Sequence, residues 1–130
     1  MGRFLAAAGA VPELVLSSSA VRALTTIEIA ADAGGWDCEI VTSQDLYASD
    51  AERVLEVIGE IDGEVDRLLI AGHEPTWSTL VGWLIGGGRV RMPPAAVACL
   101  DLPNGDWIDL APGRCVLRWL VTPEMLKQGA

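Results

Sequence analysis

Arg67-Leu68-Leu69-Ile70-Ala71-Gly72-His73-Glu74-Pro75 is the stretch that decides the fold. Arg67 to Ala71 is nearly all apolar, as expected of a short strand with both faces covered in a parallel sheet. Gly72 then allows close backbone approach, and Pro75 suits the first position of a following helix. That helix carries Trp77, Leu80, Val81 and Leu84 and ends at Gly86-Gly87-Gly88. A buried strand running through a Gly-His turn into a helix is the unit of an alternating α/β sheet.

The same rhythm extends upstream. Residues 2–8 read as the last turns of an amphipathic helix stopped by Gly9. Glu13 to Ser17 reads as a strand, Ala20 to Ala33 as a helix halted at Gly34-Gly35, and Cys38 to Thr42 as a second strand. Ser49-Asp50-Ala51-Glu52 has the spacing of a capping box and opens a helix to about Ile61, with Val54, Leu55, Ile58 and Ile61 on its apolar face. Downstream the rhythm changes. Ala95 to Leu102 reads as a strand, Pro103-Asn104-Gly105-Asp106 as a turn, Trp107 to Leu110 as extended chain, and Cys115 to Val121 as a last strand after the Pro112-Gly113 turn. The expectation is an α/β fold: a three-layer α/β/α arrangement whose mixed, mostly parallel sheet gains an antiparallel element near the C-terminus. The chain opens mid-pattern, with a helix remnant and no strand before it. It is therefore expected to be one domain over residues 1–130, incomplete at its N-terminus.

Composition narrows the classes. The chain has 130 residues, 51% hydrophobic and 21% charged, which fits one globular domain. Every apolar run is broken by a charge or a Gly within about 18 residues, so no membrane helix is expected. The apolar run after Arg3 is too short for a secretory leader, and Ala6 stands where a myristoylation pattern needs Ser or Thr. The net charge of −9 argues against nucleic acid or an anionic membrane as the main partner, yet leaves room for a local phosphate pocket. Cys38, Cys99 and Cys115 are far apart and odd in number, and His73 is the only histidine. They read as reduced, buried thiols of a cytoplasmic protein, with no metal site and no cofactor.

Two strand-to-helix junctions carry chemistry. In Ser17-Ser18-Ser19-Ala20-Val21-Arg22, hydroxyls end a strand and an Arg lies in the first turn of the next helix. Free backbone N–H groups and the positive end of the helix dipole attract anions there, and the planar fork of Arg22 matches phosphate oxygens. Taken alone, the segment fits equally a serine N-cap followed by a solvated Arg. The second junction is Gly72-His73-Glu74. Here His73 by itself fits either a ligand-facing or a structural histidine. Both junctions follow strands read as parallel, so both are expected at the same edge of the sheet, where ligands of open α/β sheets bind.

Together these segments resemble the histidine phosphatase superfamily, in particular its short bacterial phosphohistidine phosphatase branch. Ser18-Ser19-Ala20-Val21-Arg22-Ala23-Leu24-Thr25-Thr26 is similar to that branch's Ser-Pro-Ala-x-Arg-Ala-x-x-Thr motif, with Ser19 in place of Pro. Leu46-Tyr47, Gly72-His73-Glu74-Pro75, Met92-Pro93-Pro94-Ala95-Ala96 and Trp107 follow in the family's order over nearly the whole chain. The family's Arg-His-Gly or Arg-His-Ala motif, which supplies the nucleophile, has no counterpart here.

The resemblance implies a phosphatase in which a neutral histidine attacks phosphorus while Arg and a second histidine hold the phosphoryl oxygens. Arg22 carries over as one Arg, His73 as the second histidine, and Ser18 as a phosphate-loop residue that orients the loop. The implied partner is a phosphorylated protein bearing phosphohistidine, or else a small phosphate ester. Glu52, Glu56 and Asp50 read as capping and solvated charges, and Glu74 as a helix N-terminal acid. Without the first strand the chain is expected to be inactive alone, and Arg67–Ala71 and Ala95–Leu102 are each expected to lack a neighbour. A non-catalytic phospho-ligand or partner-binding module, and a small-molecule phosphomonoesterase of the same superfamily, are the alternatives.

Overall fold

A computed structural model describes residues 1–47 and 49–128 of the 130-residue chain. It is a mixed α/β structure with a parallel sheet and a separate antiparallel pair. The chain divides into two compact units, Met1–Ala48 with Glu64–His73, and Ser49–Gly63 with Glu74–Ala130.

The first unit holds α1 (Gly2–Ala7), β1 (Leu14–Ser18), α2 (Val21–Gly34), β2 (Glu39–Ser43), a 3-10 turn (Gln44–Leu46) and β3 (Leu68–Ala71). Its sheet has the order β2-β1-β3, all parallel. β1 is therefore the centre. Val15, Leu16, Ser17 and Ser18 are buried within it, and Leu5, Ala23, Ile27 and Leu46 complete the core. α1 ends in a Schellman motif: Ala10 N–H donates to Leu5 O at 2.8 Å and Gly9 N–H to Ala6 O at 3.2 Å. Gly9 has φ +68°, the left-handed conformation that favours glycine there. The α1–α2 crossing is close enough that a Cβ at Gly2 would overlap the Ala30 carbonyl, and one at Gly34 the Gly2 carbonyl. Trp36 Nε1 donates to Gly2 O at 3.2 Å across the same contact.

The second unit holds α3 (Ala51–Gly59), α4 (Thr76–Leu84), β4 (Val97–Asp101), a 3-10 turn (Trp107–Asp109), β5 (Val116–Val121) and α5 (Pro123–Gln128). Ala51, Val54, Val57 and Ile58 recur at helical spacing and are buried on one face of α3. Leu80, Val81 and Leu84 of α4 are buried as well. β4 and β5 pair antiparallel with an irregularity between Cys99 and Leu100. Cys115 N–H donates to Leu84 O at 2.8 Å and Gly113 N–H to Trp83 O at 2.9 Å, which satisfies carbonyls left open at the end of α4.

Several local expectations need correction. The N-cap of α3 is Asp50, whose carboxylate accepts from Arg53 N–H at 2.9 Å, one residue beyond the Ser49 of the expected box. Pro75 is the N-cap residue of α4 after a cis Glu74–Pro75 bond, not its first helical residue. Trp107–Asp109 is a 3-10 turn and not extended, because Asp106 and Asp109 cap it reciprocally. α5 was not expected from the sequence; the Thr122 hydroxyl accepts from Met125 N–H at its start. All four residues of β3 are half-buried and none is fully covered, because β3 pairs only with β1 among the described residues. β4 likewise pairs only with β5 among the described residues.

Candidate phosphate site at the carboxyl edge of the parallel sheet

The geometry begins with strand register. Ser17 of β1 stands opposite Ala71 of β3, and Ser18 stands opposite Ser43 of β2. Since the three strands are parallel, the segments leaving Ser18, Ser43 and Ala71 emerge from one edge of one sheet. Neighbouring strands are about 4.8 Å apart. The junction before Arg22 and the junction that ends in His73 are thus adjacent.

At the first junction the chain turns sharply from β1 into α2. Ser18 is 0% exposed, and its Oγ accepts the Ala20 N–H at 3.2 Å. Ser17, equally buried, donates from its Oγ to Ser18 O at 3.0 Å. A buried hydroxyl left unpaired would be costly, so these bonds hold the turn in one shape. Ser18 therefore acts on the loop from within the core.

The turn delivers Ala20 as the N-cap of α2, in extended conformation and without a side-chain cap. No acid stands in the first turn. The N–H groups that open a helix and the positive end of its dipole are left there without a carboxylate or hydroxyl cap. The alternative of a serine N-cap is not what forms: the hydroxyl that could have capped the helix is spent one step earlier, on Ala20. Arg22 is exposed in that first turn, and His73 is exposed two residues beyond β3. Among the described residues neither side chain is engaged in a hydrogen bond or an ion pair.

Glu74 is held elsewhere. One carboxylate oxygen accepts from Ser78 N–H at 2.9 Å and the other takes a short hydrogen bond from Ser78 Oγ. It is a helix N-terminal acid, tied to the first turn of α4 on both oxygens. A further feature, which no sequence pattern signals, is the Trp77 Nε1–H of the second unit, buried without an acceptor among the described residues.

The three cysteines, all among the described residues, form no disulfide. Cys38 and Cys99 are half-buried and Cys115 is buried. Burial, and then the neighbouring Asp37, push the Cys38 thiol above its ordinary range. Burial pushes Cys115 up against the opposing pull of Arg114, and Asp101 adds to the rise. Both are therefore poor nucleophiles near neutral pH. Among the described residues no group of three or more His, Cys, Asp or Glu could hold a metal ion, and no helix is long and apolar enough to cross a membrane.

Comparison with known proteins adds relatives to this geometry. No family model matches the sequence. The chain is 31% identical over 115 residues to two uncharacterized proteins of Mycobacterium tuberculosis, MT1313 of strain CDC 1551 / Oshkosh and Rv1276c of strain H37Rv. In each case the match covers 81% of this chain and 70% of the relative. Among solved structures, the protein histidine phosphatase SixA complexed with tungstate superposes with a TM-score of 0.80 at 23% identity, over 96% of this chain and 78% of that one. A structure from Agrobacterium tumefaciens assigned as phosphohistidine phosphatase SixA superposes at 0.76 and 24% identity, over 94% and 75%.

Proposed function

Because this chain belongs to the family of the two mycobacterial proteins and has the fold of the histidine phosphatase superfamily, we propose that it is a phosphohistidine phosphatase-like protein. Arg22 and His73 hold the phosphoryl group, and Ser18 keeps the loop between them in shape. The observation that carries this reading is the parallel pairing of β1 with β3, Ser17 opposite Ala71. It brings an uncapped helix start bearing Arg22 beside the turn bearing the only histidine of the chain.

The chemistry follows from the groups available. A phosphoryl dianion is attracted by the N-terminal N–H groups of α2 and by the guanidinium, which offers paired donors to two oxygens. His73 adds a ring N–H or an acceptor according to its tautomer. Hydrolysis of a phosphorylated imidazole breaks a P–N bond, and imidazole, with a pKa of about 6.5, leaves with little assistance. An alkyl phosphate would need a general acid for its alkoxide. Glu74, the carboxylate nearest His73 in sequence, is committed to Ser78 on both oxygens. This supports the phosphorylated-protein substrate over a small ester.

These 130 residues contain one histidine, and the resemblance assigns it to holding the phosphoryl group rather than attacking it. The chain by itself is therefore read as binding without turnover. The test is calorimetric titration of the purified chain with tungstate and with phosphate, beside an assay on phosphohistidine. Saturable tungstate binding that falls at least about tenfold in Arg22→Ala and in His73→Ala, with no phosphate release, is expected. Tungstate binding indifferent to both substitutions would refute the site. Robust phosphohistidine turnover abolished by His73→Ala would refute the assignment of roles.

A further inference from the structure

Two of the most exposed large apolar side chains of the described residues lie on one helix, α2. Val21 is 80% exposed and Ile29 is 65% exposed. With the exposed Thr25 between them they stand at i, i+4 and i+8, one stripe along a 14-residue helix. The opposite face carries the buried Ala23 and Ile27 and the close contacts to α1, so α2 is seated and the stripe is a fixed ridge. The carboxylates of α2, Glu28 and Asp32, lie in its later turns on this same face, i+7 from Val21 and Thr25, and its first turn has none. Scattered apolar residues on a surface need no explanation. A stripe that starts beside Arg22 does.

We propose that the Val21–Thr25–Ile29 ridge of α2 is the docking surface for the protein that carries the phosphoryl group. This rests on the reading of Arg22 given above. Charge complementarity fixes the near end: the phosphoryl dianion meets Arg22, the cation at the head of the ridge. Length fixes the class of occupant. Ile29 lies seven residues from Arg22, about 10 Å along the helix axis, beyond the reach of a small phosphate ester held at Arg22. A protein surface covers both. In a chain of net charge −9, the acid-free first turn of α2 is also where the phosphoryl group of a partner meets least repulsion, while Glu28 and Asp32 flank the Ile29 end, where the contact is apolar or with cationic groups of the partner. Apolar contacts along α2 supply affinity and the Arg22 site supplies recognition of the modification.

The test compares wild type with the double variant Val21→Ser plus Ile29→Ser, both at exposed positions, after circular dichroism establishes that α2 persists. The probes are tungstate, free phosphohistidine, and a soluble helical protein phosphorylated on one surface histidine with phosphoramidate. The expected result is that wild type binds the phosphoprotein at least tenfold tighter than free phosphohistidine. The double variant loses that advantage and keeps its tungstate affinity. Equal affinity of wild type for phosphoprotein and free phosphohistidine overturns the inference, as does a double variant that binds the phosphoprotein unchanged. So does self-association, or binding to zwitterionic vesicles, that depends on the same two residues. Loss of tungstate binding already in Arg22→Ala supports the underlying site whichever way the ridge is decided. Its absence sinks the site itself.

Discussion

Replacing Gly34 by Ala tests whether the seating of α2, and with it the position of Arg22, depends on a near-contact crossing with α1. A Cβ at position 34 would overlap the Gly2 carbonyl oxygen and lie 2.6 Å from Trp36 Nε1. The backbone of α1 cannot yield as the end of a flexible side chain would. Forcing the helices apart is an overpacking cost of about 1–3 kcal/mol. It also breaks the Trp36 Nε1 to Gly2 O bond of 3.2 Å, a loss of about 1 kcal/mol. Ala gains at most about 1 kcal/mol over Gly in helix propensity, less at the final residue of a helix. The balance is a loss of about 1–3 kcal/mol. With a urea slope of about 2 kcal/mol per molar, the unfolding midpoint should fall by about 1 M, read by circular dichroism and tryptophan fluorescence. Gly63, which has open space around its Cβ position, is the control: Gly63→Ala should stay within about 0.5 kcal/mol. A Gly34→Ala chain as stable as wild type, or more so, would mean that the crossing is loose and that α2 is not fixed in this way.

Ser18→Ala leaves the part-buried Ala20 N–H without its acceptor; a loss of about 1–3 kcal/mol is expected in urea unfolding, together with weaker tungstate binding, whereas Ser19→Ala should alter neither strongly. Cys115, whose thiol is pushed above its ordinary value of 9.0 chiefly by burial, sets an alkaline limit. Its proton is held more tightly folded than unfolded, so its contribution is fully present below the unfolded value and is lost as pH rises through the folded one. Stability should therefore decline from about pH 9 upward, and less steeply in Cys115→Ala, as measured by urea midpoints at pH 7 and pH 10.

The alternation of strands and helices was legible because each apolar run ends at a residue with a distinct conformational preference. Gly9 and Gly35 both take positive φ at helix ends, where the sequence marks them as stops. β1 was expected over Glu13–Ser17 and forms over Leu14–Ser18, a shift of one residue set by where its ladders to β2 and β3 begin. Short elements escaped. The six residues of α5 offer too little pattern for periodicity, although Thr122-Pro123-Glu124 is a cap, a proline at the first helical position and an acid in the first turn. The 3-10 turn at Trp107–Asp109 depends on the Asp106 and Asp109 carboxylates each accepting from the other's backbone N–H, which a hydrophobic pattern cannot register.

For the site, the residue types Arg22 and His73 could be read, and so could the expectation that both follow strands. That both junctions belong at one edge of a parallel sheet could be read as well; the direct pairing of β3 with β1 could not, since tertiary packing decides it. The uncapped start of α2 also lay outside the pattern. Three consecutive serines suggest a cap, and only the fold reveals that Ser18 is drawn into the core instead.

Anomalous scattering from crystals of this chain grown with tungstate would locate the oxyanion directly. The prediction is one tungsten position whose oxygens lie about 2.7–3.2 Å from both the Arg22 guanidinium and a ring nitrogen of His73, at the carboxyl end of β1 and β3. Tungstate bound elsewhere, or reaching one of these side chains while the other points away, would contradict it.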